Sequence, residues 1–400
     1  MRIAARLLLV TALLCVTARG ESYDLSTELA LEGRVFPSPP GSSVQRQYDI
    51  SASIEPKFTM QWENRRQTFE ASPFFRYDAA DSNRTHFDMA NFSYVKAWDH
   101  FELRAGIRKV FWGVTESQHL VDIINQSDLV EDFRGYTKLG QPMVNAAAIT
   151  DFGSFEAFVM PYFRERTFPG PFGHFRPPTV INTNAVTYQS SNGRWNPDLA
   201  FRWSDRIGIF DLGISHFYGT NRQPDLIPVI NASGTAELDP YYSLIQQTGL
   251  DAQMTLGSFL GKLEMITHGD QRYQNAYFAS TVGGEYTFPR VFHSTLDVGL
   301  LLEYLYDSRG TRASTAYQDD IFLGLRFTLN DSGGLNFLAG EIFDRATNNQ
   351  IFLLEASRRF GSHWKLSVSG GLFNINNSSD PLYAYYRDSY LQTTLTYFFL

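Results

Sequence analysis

The chain has 400 residues with 42 acidic and 34 basic side chains, a formal charge of −8 at neutral pH, and a single cysteine. An acidic surplus argues against nucleic acid as a partner, and one cysteine excludes a disulfide framework or a cysteine-based zinc site. Aromatic residues make up 15% and glycines number 30, yet beyond residue 20 no apolar run reaches the ~18 residues of a transmembrane helix.

Arg2 and Arg6 precede the apolar run from Leu7 to Val16, and Ala18-Arg19-Gly20 places small residues where a signal peptidase reads. Residues 1–20 therefore read as a cleaved signal peptide and residues 21–400 as one exported domain. Bulky Leu14 before Cys15 argues against lipoprotein processing. Loss of three arginines with the leader (Arg2, Arg6 and Arg19) takes the charge from −8 to −11.

Past the leader the dominant pattern is period-two alternation, which predicts strands. Segment 24–35 is followed by 48–61, where Ile50, Ala52, Ile54, Phe58 and Met60 oppose Ser51, Ser53, Glu55, Lys57 and Thr59. Strands over 67–78, 85–97 and 100–111 come next, and they turn Glu70, Arg76, Glu102, Arg104 and Arg108 to the polar face. The long segment 112–141 then opens with Phe111-Trp112-Gly113. In it Thr115-Glu-Ser-Gln118 fits a capping box, with Leu120, Ile123 and Ile124 at helical spacing and acids at Glu116, Asp122, Asp128, Glu131 and Asp132.

Strands follow at 142–151 and 154–164, and then a second long segment at 165–196. Its stretch Tyr188-Gln-Ser-Ser-Asn-Gly-Arg-Trp195 faintly resembles the Ser/Asn stretch of the outer-membrane phospholipase family. That chemistry needs a histidine beside the serine. Tyr188 stands in its place and the nearest histidine, His174, lies in a proline- and glycine-rich stretch, so no enzyme is expected. The eight histidines show no metal-ligand spacing, and no cofactor motif is present.

Strands at 197–204 and 207–218, a third long segment at 219–244, and strands at 245–256, 259–268 and 275–288 continue the series, carrying Asp251, Lys262, Glu264 and Glu285 on the polar face. Segment 294–307 sets Leu296, Val298, Leu300, Leu302, Tyr304 and Tyr306 against Asp297, Gly299, Glu303 and Asp307. Segment 318–330 adds Arg326, and 334–344, 350–359, 363–373 and 388–399 complete the set, with Glu355 and Lys365 inward. This gives eighteen strands, with sixteen the alternative.

Short links alternate with longer ones, and the strands are longer than those of a soluble sandwich. Only helices and closed barrels satisfy their backbone in lipid. The expected fold is thus all-β: a transmembrane antiparallel up-and-down barrel with periplasmic short turns and long outer loops at 112–141, 165–196 and 219–244.

The last strand ends Leu395-Thr-Tyr397-Phe-Phe399-Leu400 and resembles the terminal signature of outer-membrane proteins, which implies that Tyr397 and Phe399 are read by the barrel assembly machinery. A phenylalanine usually ends that signature, and here Leu400 does. The stretches Arg108-Lys-Val-Phe-Trp-Gly113, Met160-Pro-Tyr-Phe-Arg-Glu-Arg166, Gln247-Thr-Gly-Leu-Asp251, Glu303-Tyr-Leu-Tyr-Asp307 and Glu355-Ala-Ser-Arg-Arg359 resemble a group of uncharacterised proteobacterial outer-membrane barrels, loosely similar to alginate-export porins. That resemblance implies the porin-like fold and an outer membrane of lipid and lipopolysaccharide, without a substrate.

The candidate pore-lining residues are Lys57, Arg76, Glu102, Arg104, Arg108, Glu116, Asp122, Asp251, Lys262, Asp297, Glu303 and Arg326. General porins fold their third outer loop inward as a short helix bearing acids, and segment 112–141 is similar to that loop. The expectation is a passive channel for small hydrophilic solutes, with residues 115–128 inside the barrel and Glu116 and Asp122 beside Arg104 and Arg108. A loop-plugged barrel with a structural or partner-binding role is the alternative, and a lipid-modifying enzyme a remote one.

Overall fold

The computed structural model describes residues 22–270, 276–315, 317–378 and 380–399; the leader, residue 275 and Leu400 fall outside them. Strands β1 (Ser22–Val35), β2 (Tyr48–Trp62), β3 (Gln67–Asp78), β4 (His86–Ala97) and β5 (Phe101–Arg108) lead into loop 109–140. Strands β6 (Gln141–Thr150) and β7 (Gly153–Met160) precede loop 161–197, which holds the two-residue β8 (Thr187–Tyr188). Strands β9 (Asp198–Ile207) and β10 (Phe210–Thr220) lead to loop 221–243, with its hairpin β11 (Asp225–Ile230) and β12 (Ala236–Tyr242). Strands β13 (Leu244–Leu256), β14 (Phe259–Asp270), β15 (Ala276–Phe288), β16 (Leu296–Asp307) and β17 (Asp319–Leu329) continue the wall. Strands β18 (Leu335–Asp344), β19 (Gln350–Phe360), β20 (Trp364–Asn374) and β21 (Tyr390–Phe399) complete it.

All strands except β8, β11 and β12 form one 18-stranded antiparallel sheet, and β21 pairs with β1 to close it. Closure leaves no edge strand with unpaired backbone groups. The eighteen barrel strands correspond one to one with the eighteen expected from alternation. The boundaries differ: β5 ends at Arg108 and β7 at Met160, because the chain there leaves the wall for its loops. Within loop 161–197, β8 pairs with β12 in a small sheet separate from the barrel, and Ile181 bridges to Leu238. A register shift at Ser72/Pro73, where proline has no N–H for the ladder, interrupts β3 and β4.

Alternation fixes the two faces. On β16, Leu300 and Leu302 are about half exposed on the outside, whereas Leu301, Glu303 and Leu305 are buried inside. The short-turn rim carries outward Trp98, Phe101, Phe152, Phe210, Phe288, Phe360, Trp364 and Phe399, a girdle suited to a membrane interface. Among the described residues no helix is long and apolar enough to cross a membrane.

The interior is not empty. Loop 109–140 lays Trp112, Val121 and Ile124 against Met143, Phe158, Met160, Ala200, Phe217, Ile245, Ile266 and Ala279, inward residues of β6, β7, β9, β10, β13, β14 and β15. A second apolar cluster lies opposite, where Phe36 and Phe175 pack with Leu301, Leu305, Phe322, Ile342, Ile351, Phe373 and Tyr390 and Phe133 joins them.

Candidate channel lumen

Loop 109–140 enters the barrel at Gly113. Its φ of +137° suits glycine, and a Cβ there would lie 2.9 Å from the Glu264 carboxylate. From that point two wall carboxylates hold the loop backbone. Glu264 Oε1 accepts from the Val114 and Thr115 amides at 2.7 and 3.0 Å and lies 2.7 Å from the Thr115 hydroxyl, while Oε2 accepts from the Val121 amide at 3.2 Å. Glu303 accepts from the Glu116 and Ser117 amides, both at 2.8 Å, and from the Ser117 hydroxyl at 2.5 Å. Both carboxylates are buried, so these charge-assisted bonds replace their hydration.

This is why the expected capped helix does not form. The amides that would start it donate to Glu264 and Glu303, and the Thr115 hydroxyl reaches the Gln118 carbonyl rather than a free N–H. Residues 111–126 therefore run as an irregular chain.

Further anchors fix the loop. Asn125 accepts from the Val110 amide at 2.9 Å and donates to the Arg108 and Leu139 carbonyls, both at 2.8 Å, so one amide ties both legs together. Arg222, itself paired with Asp198 at 2.7 Å, donates to the Ile123 and Ile124 carbonyls. Val121 seats on Gly249, where a Cβ would come within 3.0 Å of its Cγ1.

The loop acids do not meet Arg104 and Arg108. Glu116 pairs with Arg326 at 2.7 Å and Lys262 at 3.7 Å, across the lumen. Asp122 pairs with Lys138 at 3.3 Å, and burial holds its carboxyl above the ordinary range. Arg104 instead engages Glu102, Glu156 and Asn145, and Arg108 bonds Asn145 at 3.2 Å. The wall thus holds both arginines itself, Arg104 through carboxylates and Arg108 through an amide, and the acids of the loop reach elsewhere.

The other candidates are distributed through the wall. Arg76 grips Glu131 of the loop with both ends of its guanidinium at 2.7 and 2.8 Å, and Arg202 grips Asp251 likewise. Lys57 pairs with Glu28 at 2.5 Å. Asp297 stands at the short-turn rim, where it accepts from the Arg290 amide and from Asn330, and so holds a turn. Tyr397 and Phe399 sit together at that rim, ring centroids 4.6 Å apart.

In loop 161–197, Tyr188 bonds Glu165, and the Ser190 hydroxyl donates to Asn196 at 2.9 Å. His174 lies against Asp388 at 2.7 Å and stacks on Phe36, so serine and histidine are each engaged with other partners.

Residues that alternation did not single out complete the lumen. Arg134, in the returning leg of the loop, pairs with Asp132 at 3.2 Å and with Glu355 on the facing wall. A cavity of about 370 Å³ opens among the long loops and reaches down to Ser117, His119, Arg134 and Tyr136. A second, of about 330 Å³, shares those four residues and runs along Phe322, Leu338, Gly340, Ile342 and Leu353. A third, of about 370 Å³, shares Glu116, Arg134, Leu338 and Glu355 with the second and extends past Asn336 and Lys365 toward the short turns. The first lies against β13–β16, through Gln247, Ile266, His268, Tyr277 and Ala279, and the second and third continue from it along β17–β20.

Compared with solved structures, the chain is similar to a BenF-like porin from Pseudomonas fluorescens Pf-5, at 8% identity and a TM-score of 0.55, with 95% of this chain and 98% of that one covered. The fold is that of a porin-like barrel. It is also similar to Wzi, an outer membrane protein involved in group 1 capsule assembly in Escherichia coli and a carbohydrate-binding β-barrel, at 11% identity and a TM-score of 0.50, covering 92% of this chain and 83% of that one. No protein-family model matches the chain, and no curated protein does.

Proposed function

We propose that this protein is an outer-membrane channel for passive diffusion of small hydrophilic solutes, exported by its leader and narrowed by loop 109–140. The observation that carries the reading is the succession of three cavities, each sharing residues with the next, from the long loops beside β13–β16 and then along β17–β20 toward the short turns. A barrel of this strand number encloses space for water unless its loops fill it, and here the loop fills one side. The porin-like fold supports the membrane setting, and the outward aromatic girdle suits it. Kinship with alginate-export porins belongs to the same proposal.

The reading assigns no catalysis, consistent with Ser190 and His174 being engaged separately. The plugged-barrel alternative predicts silence. Purified protein in planar bilayers should give steady single-channel currents under this proposal; a folded, inserted barrel that stays silent at every voltage would overturn it.

A further inference from the structure

Along the facing wall the second and third chambers meet at the four residues both share, Glu116, Arg134, Leu338 and Glu355. Arg326, Leu338 and Glu355 are direct cross-strand partners on β17, β18 and β19, so they form one inward row. Loop 109–140 reaches the two ends of that row and not its middle, through Glu116–Arg326 and Arg134–Glu355. The result is a window with an ion pair at each side and Leu338 between them. Its posts stand two strand spacings apart, roughly 10 Å at about 4.8 Å per strand.

Two properties of this window bear on what it passes. The first is charge. The pairs run in opposite senses: acid on the loop and base on the wall at one side, base on the loop and acid on the wall at the other. Each post has a further partner, Lys262 for Glu116, Glu285 for Arg326 and Asp132 for Arg134, and Lys365 lines the cavity below. With the posts paired and neither sign in excess, an ion of either sign gains little to offset its lost hydration.

The second is texture. Just above Leu338 the wall is apolar, with Phe322 and Leu353, while the opposite side offers the polar edges of Ser117, His119 and Tyr136. Phe322 lies flat because Gly340 leaves room for it: a Cβ at Gly340 would be 2.3 Å from the ring. The opening is therefore slot-shaped, oily on one long side and hydrogen-bonding on the other.

We propose that the window selects uncharged, ring-shaped polyhydroxyl solutes of monosaccharide size, whose C–H face lies on Leu338 and Phe322 while their hydroxyl edge follows the loop. This rests on the channel reading above. An acyclic polyol of the same size presents no flat apolar face, and a charged sugar finds no unpaired partner at the posts.

The test is uptake into proteoliposomes of D-glucose, D-sorbitol, D-glucuronate and D-glucosamine, with ion conductance measured in parallel. D-Glucose should enter severalfold faster than each of the other three. Leu338→Ser should bring D-glucose and D-sorbitol to similar rates while ion current persists. Glu355→Gln, which leaves Arg134 with Asp132 alone, should raise D-glucuronate uptake. Equal rates for D-glucose and D-sorbitol, faster entry of either charged sugar, or a ring preference unchanged in Leu338→Ser would overturn the proposal while a measured ion current leaves the channel standing. Absence of both current and uptake would instead remove the channel reading and this proposal with it.

Discussion

On the β6–β15 side, the wall turns Phe158, Ala200, Phe217 and Ile266 inward, and loop 109–140 lays Trp112, Val121 and Ile124 directly on them. On the β17–β20 side, the wall turns Phe322, Leu338 and Leu353 inward, and the loop reaches across with the heads of Glu116 and Arg134. Both sides are built from the same alternating strands, yet the loop meets the first through apolar side chains and the second through Phe133 near the long loops and through charged heads below it. Apolar side chains that meet exclude water and seal, whereas long charged side chains bridge a gap and leave space beside them.

The energies differ accordingly. Fully burying Val121 and Ile124 contributes about 1.5–3 kcal/mol each. The partly exposed posts contribute about 0–1 kcal/mol each, since solvent screens them. The packed wall and the Glu264 and Glu303 anchors therefore hold the loop, and the posts shape the opening.

The largest expected effect comes from removing the difference between the walls. Deleting residues 115–128 takes away the seal and one post, and single-channel conductance should rise severalfold while the barrel assembles. Unchanged conductance in a folded deletion protein would break the comparison. A single anchor offers a milder version: Glu303→Leu leaves the Glu116 and Ser117 amides without their acceptor, at about 1–3 kcal/mol each. Current noise should increase while the barrel still assembles; a quiet wild-type current would show that the anchor does not hold the loop.

Next comes the assignment of faces on which both walls depend. Leu300 points outward and Gly299 inward on β16. Leu300→Arg should cost about 2–4 kcal/mol in lipid, measured by denaturant titration in vesicles. Gly299→Arg should mainly lower conductance, and equal destabilisation by both would contradict the faces.

The smallest effect is the most diagnostic, because one substitution should act with opposite sign on the two walls. At Gly249 a Cβ would press Val121 from 3.0 Å, so Gly249→Ala should loosen the loop and raise conductance. At Gly340 a Cβ would push the Phe322 ring toward the passage, so Gly340→Ala should lower it. Shifts of the same sign would show that the walls do not differ as described.

The sequence made the barrel legible because a strand crossing lipid alternates at every step, and that signal survives without any knowledge of partners. It also made the inward loop partly legible, through Gly113 and the acids after it. The helix expected at Thr115–Gln118 fails for a nonlocal reason: its amides are claimed by Glu264 and Glu303, roughly 150 and 187 residues further along. Arg104 and Arg108 mislead similarly, since Glu156 and Asn145 on neighbouring strands take them first. Arg134 sits in a loop without periodicity, and Leu338 is an inward apolar residue that a search for charged pore lining passes over. Only the register that sets Leu338 between Arg326 and Glu355 reveals it.

The central claim is that solutes leave the outer cavity along β17–β20 and not through the cluster around Phe158, Ala200 and Phe217. Residues 22–399 contain no cysteine, so single thiols can be placed at will. The most direct measurement is block of single-channel current by a charged methanethiosulfonate reagent in Leu338→Cys and, separately, in Ala200→Cys. The account predicts prompt, lasting block at Leu338→Cys and none at Ala200→Cys; block at Ala200→Cys with an unaffected Leu338→Cys would place the route on the wrong side of the loop and contradict it.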